Sequence, residues 1–445
     1  MSSIIIKNGT IINEDLKYQG DILIKNDRIE KIGGVIDKPA GKIIDATGKL
    51  ILPGIIDDQV HFREPGLIYK ADISSESKAG VLGGVTSYMD MPNNNPPILD
   101  QNSLEKKYEI GKLRSYSNYS FYMGASNDNI DEVLQTDPSS VCGIKVFMGA
   151  STGNMLVDNM SALEAIFSNC ELLIATHCED ENTIKHNHKS IIDKFGDNIG
   201  PEFHPLIRDH EACYKSSKLA VDLARRYGSR LHVLHLTTAK EMELFSNNKD
   251  LKNKKITSEV CVHHLYFNDE QYKFLGNKLK CNPSVKTEND RLALWKALLE
   301  GKIDIIATDH APHTIEEKNR PYLNAPSGLP LIQHSFQMMF EFYLKGLISL
   351  EKIIEKMCHN PSILFQIKER GFIREGYWAD IVIIDPAKNH KVSDHNIAYK
   401  CGWSPVNGVE FNSQVDTVLV NGTIALENGI ITGQSNPMRL EFERF

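Results

Sequence analysis

The middle of this chain repeats one unit, a short apolar run that closes on polar or metal-seeking residues. GVTSYMDMPNN, GIKVFMGAS, LLIATHCED, RLHVLHLTT, ITSEVCVHH and IDIIATDHAPH are successive examples. Segments with apolar residues at three- and four-residue steps separate several of them, and the spacing predicts helices over 211–228 (EACYKSSKLAVDLARRYG) and 288–301 (ENDRLALWKALLEG). Strand and helix in alternation argue for an α/β chain with a parallel sheet. Functional side chains at successive strand C-termini are the arrangement of a (β/α)8 TIM-type barrel, the fold expected here. Periodicity alone leaves an open doubly wound sheet as the alternative.

The two ends depart from this pattern and echo each other. IIIKNGTIINED near the start returns as VLVNGTIALENG at 418–429, each with β-prone residues around an Asn-Gly pair that predicts a turn, Asn8-Gly9 and Asn421-Gly422. Together with DILIKNDRIEKIGG, GKIIDATGKLILPG and WADIVIIDP they predict a small composite β-sandwich domain from residues 1–52 and 370–445, flanking a barrel domain over 53–369. A chain of 445 residues is long enough for such a large-plus-small arrangement.

Charge narrows the partners. The formal net charge is −8 and the basic residues are scattered, which argues against nucleic acid or an anionic membrane and for a small-molecule substrate. MSSIIIKNGTIINED has too short an apolar run for a signal peptide, and no stretch approaches a membrane span, so a cytoplasmic location is expected. The eight cysteines form no CxxC pair and are expected as free thiols. Cys178, Cys213, Cys261 and Cys281 read as small buried hydrophobes. By base rate, a homo-oligomer is expected, with a homodimer as the default.

The strand ends collect His61, Lys145, His177, His235 and Asp309. A single histidine among 16 is ordinarily a surface or hydrogen-bonded core residue, but five such groups closing separate strands are harder to dismiss. Lys145 is the odd member, because GIKVFMG otherwise reads as a buried strand, where an unpaired ammonium is costly. Either it reaches the strand end or a carboxylate, or CO2 has converted its amine to a carbamate able to bridge two cations. Gln59, His61 and Arg63 follow at two-residue steps in DDQVHFREPG, so an extended strand would point all three to one face.

DDQVHFREPG, MDMPNNNP, GIKVFMGASTGNM, THCED, HVLHLTTA, KCNPSVKTENDR and TDHAPHT, in this order from about residue 50 to 405, resemble the motif set of the dihydroorotases within the cyclic amidohydrolase superfamily. The resemblance implies a zinc-dependent barrel that reversibly hydrolyses (S)-dihydroorotate to N-carbamoyl-L-aspartate in pyrimidine (UMP) biosynthesis. It implies one or two zinc ions held by His61, Lys145 as its N6-carboxylated form, His177, His235 and Asp309, with Asp309 also moving the proton from the nucleophile to the departing ring nitrogen. It further implies a substrate wall of Arg63, Asn93, Asn282 and His313, with backbone amides at Ser327-Gly328. Since the substrate that the resemblance implies carries a carboxylate beside its ring, a cation is called for near the metals, which Arg63 can supply as a bidentate fork. A salt bridge from Arg63 to Glu64 or Asp72 is the plain structural alternative.

One residue departs from the family's His-x-His. Gln59 offers a neutral carbonyl oxygen, a weaker zinc ligand than imidazole. Ligation through that oxygen, a contribution from Asp57, or a single metal would each accommodate it. Allantoinase- or dihydropyrimidinase-type activity, and a non-catalytic partner of aspartate transcarbamoylase, are the alternative functions. His263, His264 and Glu259 read as structural, Arg208 and Glu211 as a helix start, and GASTGNM either as a loop over the mouth or an ordinary turn.

Overall fold

Isoleucine-rich alternation at the N-terminus builds β1 (Ser3–Asn13), β2 (Leu16–Lys25), β3 (Arg28–Gly33), β4 (Lys42–Asp45) and β5 (Leu50–Pro53). The computed structural model of the chain describes residues 3–149, 155–248 and 250–444. Asn8-Gly9 is not a turn. β1 runs straight through it, with Asn8 at φ +63° and the register with β2 shifting between Ile6 and Gly9, so the pair forms a bulge. A Cβ on Gly9 would lie 2.3 Å from Ile51 Cδ1, which is why the bulge takes glycine. Glu14-Asp15 makes the actual turn, at φ +53° and +59°.

After Gly54 the chain enters the parallel strands β6 (Ile55–Val60), β7 (Val85–Asp90), β8 (Asn118–Phe121), β9 (Met123–Gly124), β10 (Ile144–Phe147), β11 (Ile174–His177), β12 (Leu231–Val233), β13 (Ile256–Cys261) and β14 (Ile305–Ala307). β6, β7 and β8 pair in sequence, as do β9 through β14. β8 and β9 are two segments of one strand broken at Tyr122, and a parallel bridge from Val60 to His310 closes the ring. The result is an eight-membered (β/α)8 barrel, as the alternation predicts; the open sheet is excluded.

Side-chain caps set the helix limits. Asp209 accepts from Ala212 N to start the helix His210–Tyr227, and Gly228 in the left-handed region ends it. Thr287 and Gly301 do the same for Glu288–Glu300. The longer helix buries Ala212, Cys213, Ser216, Ala220, Val221 and Ala224, the three- and four-step face read from the sequence. All four cysteines assigned as buried hydrophobes are buried thiols.

Past the barrel come β15 (Ile381–Asp385), β16 (His390–Lys391), β17 (Glu410–Phe411), β18 (Gln414–Val420), β19 (Thr423–Glu427) and β20 (Ile430–Ile431). β15 lies antiparallel against both β5 and β18, so the termini form one sheet in the order β20-β19-β18-β15-β5-β1-β2-β3, with β4 beside β1. Asn421-Gly422, at φ +47° and +72°, is the expected two-residue turn between β18 and β19. The final residues leave this sheet. Leu440 and Phe442 pack into the barrel floor with Ile56, Tyr122 and Phe365, and Arg444 donates to the carbonyls of Val141 and Cys142.

A buried polar knot ties sheet to barrel. Arg370 pairs with Asp380 and donates to Asn421 Oδ1 at 2.6 Å, while Asn118 of β8 donates to Asp380 at 3.1 Å and accepts from Asn421 at 2.7 Å. Replacing Arg370 with Met strands a buried carboxylate, which costs about 3–5 kcal/mol. A clear fall in denaturant midpoint for Arg370→Met is therefore expected, with far-UV dichroism retained before the transition.

Candidate active site

The C-terminal rim of the barrel holds a cavity of about 230 Å³. Gln59, His61, Arg63, Asn93, Lys145, His177, His235, Asn282, Asp309, His313, Ser327 and Gly328, the whole set of candidate residues, line it together with Phe147, Ala311 and Pro326. Ala150–Asn154, the centre of the loop suggested to cover the mouth, lie outside the described residues.

The strand ends orient the nitrogen donors. His61 Nδ1 is 2.7 Å from Asn93 Oδ1, so that nitrogen carries the proton and Nε2 presents a lone pair to Asp309 Oδ1 at 3.1 Å. On the facing wall, His177 Nε2 lies 3.1 Å from Glu179 Oε2, which fixes its proton there and turns the Nδ1 lone pair toward His235 Nε2 at 3.0 Å. Glu179 is in turn paired with Arg208. Burial alone would raise the Glu179 carboxyl; Arg208 and His177 outweigh it and hold it at about 2. Burial lowers both His177 and His235 below the usual imidazole range, so both rings are neutral.

Whichever nitrogen of His235 bears the proton, its buried Nδ1 has no hydrogen-bond partner among the described residues. A lone pair facing a carboxylate on one wall and an imidazole pair facing each other on the other are both resolved by a cation between them. The donor set of imidazoles and carboxylate therefore fits a divalent transition ion such as zinc.

Lys145 sits between these walls, buried, with its Nζ 4.6 Å from the centre of the Phe147 ring. Among the described residues it has neither a salt bridge nor a hydrogen-bond acceptor. Burial lowers its pKa to about 8, against the pull of Asp309 and Glu259, so an uncharged amine is accessible near neutral pH.

Three site residues occupy the left-handed region without being glycine: Arg63 at φ +67°, His235 at +40° and Asp309 at +46°. Such conformations cost about 1–3 kcal/mol each and persist where surrounding structure enforces them. They also correct the strand reading of Arg63. β6 ends at Val60, so Arg63 reaches the cavity through a turn, not by alternation. Its Nε donates to Pro312 O at 3.1 Å and its Nη2 lies 3.1 Å from His313 Nε2. Glu64 and Asp72 pair with Arg114 instead, at 3.2 Å each, so the salt-bridge alternative for Arg63 fails. Lys70, 3.0 Å from His313 Nδ1, is paired with Glu317 at 3.1 Å and stands behind this wall without lining the cavity.

Two expected contributions change. The Gly328 N–H donates to Lys280 O at 2.9 Å, which leaves the Ser327 N–H as the unengaged amide of that pair among the described residues. Asp57 is committed to Thr308, whose hydroxyl donates to it at 2.6 Å, and does not line the cavity. Gln59 turns its amide N–H to Asp309 Oδ1 at 3.2 Å and its carbonyl oxygen toward the Cys261 thiol at 3.8 Å, so the oxygen faces away from the His61 donor.

Glu179 escaped the sequence reading, and Arg208, read there as part of a helix start, precedes the helix at His210 and pairs with Glu179. The only signal was proximity, Glu179 following His177 by two residues in THCED; β11 ends at His177, so strand alternation does not place it. Glu211 pairs with Lys240 at 2.9 Å and stays outside the site. Beneath the cavity, His232 lies 3.3 Å from both Asp58 and Glu259, all fully buried, and Cys261, His263 and His264 form a second compact group. If His232 holds a proton, desolvation opposes it but the two carboxylates raise it to about 9.

The chain belongs to the amidohydrolase family, whose model matches residues 50–425. Members of this family are typically metal-dependent, and the fold and site are those of a hydrolase acting on cyclic amides. Among relatives of established name, the dihydroorotase of Pyrococcus furiosus is 31% identical over 98% of this chain and 96% of its own length. That of Carboxydothermus hydrogenoformans is 32% identical over 95% and 98%. The L-hydantoinase (dihydropyrimidinase) of Arthrobacter aurescens superposes with a TM-score of 0.92 at 25% identity, covering 100% of both chains. No described helix is long and apolar enough to cross a membrane.

Glu179 acts on the cation site only through His177, and Arg208 only through Glu179. Removing such outer partners typically costs about 10–100-fold in metal affinity. Arg208→Met is expected to weaken zinc binding by that factor, measured by competition with a chromogenic chelator, and to lower the thermal transition as well because the buried Glu179 carboxylate loses its partner, whereas Arg208→Lys, which keeps a cation there, should retain more of both.

Proposed function

We propose that the chain is a dihydroorotase, interconverting (S)-dihydroorotate and N-carbamoyl-L-aspartate with zinc. The observation that carries this reading is the buried guanidinium of Arg63, which borders the same cavity as Lys145, His177, His235 and Asp309. A neutral cyclic amide has no use for a buried guanidinium. Dihydroorotate carries a carboxylate beside its ring, which a guanidinium grips through two parallel hydrogen bonds. The relatives named dihydroorotase support the same choice.

His61, His177, His235, Asp309 and Lys145 as its carbamate would hold the metal, which when bound polarises the ring carbonyl and brings the ionisation of water near neutral pH. Arg63 and the free Nδ2 groups of Asn93 and Asn282, with the Ser327 N–H, would orient the ring and its carboxylate. His313, kept neutral by burial and by Arg63, spaces Arg63 from Lys70. Asp309 accepts the nucleophile's proton and returns it to the ring nitrogen as the amide bond breaks. Ring closure uses the same groups in reverse. Gln59, through its N–H, holds the carboxylate of Asp309 in place and is not itself a ligand. We assign the catalytic unit to residues 53–369.

Arg63→Met should lower kcat/KM for dihydroorotate by about thirtyfold or more, the equivalent of roughly 2–5 kcal/mol for one half of a buried charge pair. Unchanged turnover of dihydroorotate, or faster hydrolysis of a hydantoin or allantoin than of dihydroorotate, would favour the other cyclic amidohydrolases. Zinc-loaded wild-type protein with no turnover that co-purifies with aspartate transcarbamoylase would make it a non-catalytic partner.

Carbamate formation requires the uncharged amine. Because burial lowers Lys145 to about 8, the reactive form grows as pH rises through that value. Metal-free protein in carbon-13 bicarbonate is expected to show a carbamate resonance that strengthens across this pH and is missing from Lys145→Ala; a resonance indifferent to pH, or present in the variant, refutes the assignment.

A further inference from the structure

One layer below Gln59, β6, β12 and β13 bring Asp58, His232 and Glu259 together inside the barrel, with no exposed surface on any of them. Their donor atoms lie within 4.8 Å of one another. His232 Nδ1 faces Thr257 Oγ1 at 2.9 Å, and that hydroxyl spends its own proton on Leu231 O at 3.1 Å. Thr257 can therefore only accept, so His232 carries a proton on Nδ1 and turns Nε2 to the two carboxylates, where it can serve as a ligand once a cation takes the place of any proton there. Glu259 uses Oε1 to accept from the His235 backbone N–H at 3.1 Å, which leaves Oε2 turned toward His232. Both carboxylate oxygens of Asp58 are buried without any hydrogen bond among the described residues.

We propose that Asp58, His232 and Glu259 form a separate divalent-cation site, suited to zinc, buried beneath the active-site cavity. Distances support an ion over a bare hydrogen bond. His232 Nε2 stands 3.3 Å from Asp58 Oδ2 and 3.3 Å from Glu259 Oε2. A good N–H···O contact is about 2.9 Å, whereas ligands about 2.0–2.2 Å from a tetrahedral ion sit about 3.3–3.5 Å from one another. Charge supports it as well. Two carboxylates buried beside one imidazole crowd like charges together, and a divalent ion would offset both and engage the Asp58 oxygens that find no hydrogen bond among the described residues. One imidazole with two carboxylates is a ligand set for zinc or a neighbouring transition ion, and the Thr257 hydroxyl is the outer partner such a histidine ordinarily has. The ion would pin three strands across the barrel floor. It is distinct from the donors at the mouth and independent of the substrate assignment.

Crystals of the zinc-replete full chain, measured on both sides of the zinc absorption edge, should show an anomalous peak enclosed by His232 Nε2, Asp58 Oδ2 and Glu259 Oε2. An anomalous map without a peak there overturns the proposal. In solution, Asp58→Asn is expected to hold one zinc fewer per chain than wild type and to lose part of the rise in Tm that zinc gives the metal-free protein. An unchanged zinc count in a folded Asp58→Asn protein also overturns it. Neither readout depends on turnover, so a failure of the dihydroorotase reading leaves both intact.

Discussion

The hydrogen bond from His61 N to His310 O, 2.7 Å long, is where the first barrel strand meets the last. In an open sheet of eight strands spaced about 4.8 Å apart, the two edges would be separated by roughly 30 Å. Closure instead brings His61 within 3.1 Å of Asp309, though 247 residues lie between them in the sequence. Every other feature of the cavity presupposes this contact. Lys145, His177 and His235 come from the far arc of the ring, and the space enclosed between the two arcs is the site.

Strand-end chemistry was legible because a parallel barrel places the C-terminus of each strand on one rim, so a polar residue closing an apolar run has a single destination. Alternation along a strand was a poorer guide. The pairing of β6 with β7 shifts register between Asp57 and Val60, so both Asp58 and Gln59 point into the barrel, a parity that no period-two reading of DDQVH yields. The same irregularity turns Asp57 toward Thr308. Arg63 reaches the cavity only because its backbone adopts φ +67°, a conformation its residue type does not advertise. The Asn-Gly pairs show the converse: identical dipeptides make a turn at 421–422 and a bulge at 8–9, because Ile51 crowds the second and the strand continues past it.

Outer partners were the least visible. Glu179 and Arg208 lie 29 residues apart and meet only because the loop after β11 folds back over the start of the helix at His210. What a sequence records is the ligand-type residue, while its tautomer depends on a neighbour supplied by tertiary packing. The same holds for Thr257 and His232. In both cases a histidine's free nitrogen is selected by what its other nitrogen touches, and that choice separates a metal ligand from a structural ring.

Gln59 brings these themes to one residue. A histidine in its place would present a lone pair and demand a cation; glutamine presents an N–H, which Asp309 accepts, and asks for nothing further on that side. Its carbonyl faces Cys261, whose thiol is held far from ionisation by burial and by the Glu259 carboxylate. The residue thus acts as a neutral spacer between Asp309 above and the carboxylates of Asp58 and Glu259 below. A chain that gives up the imidazole at this position keeps Asp309 oriented by hydrogen bonding alone, and must balance its deeper carboxylates by some other means.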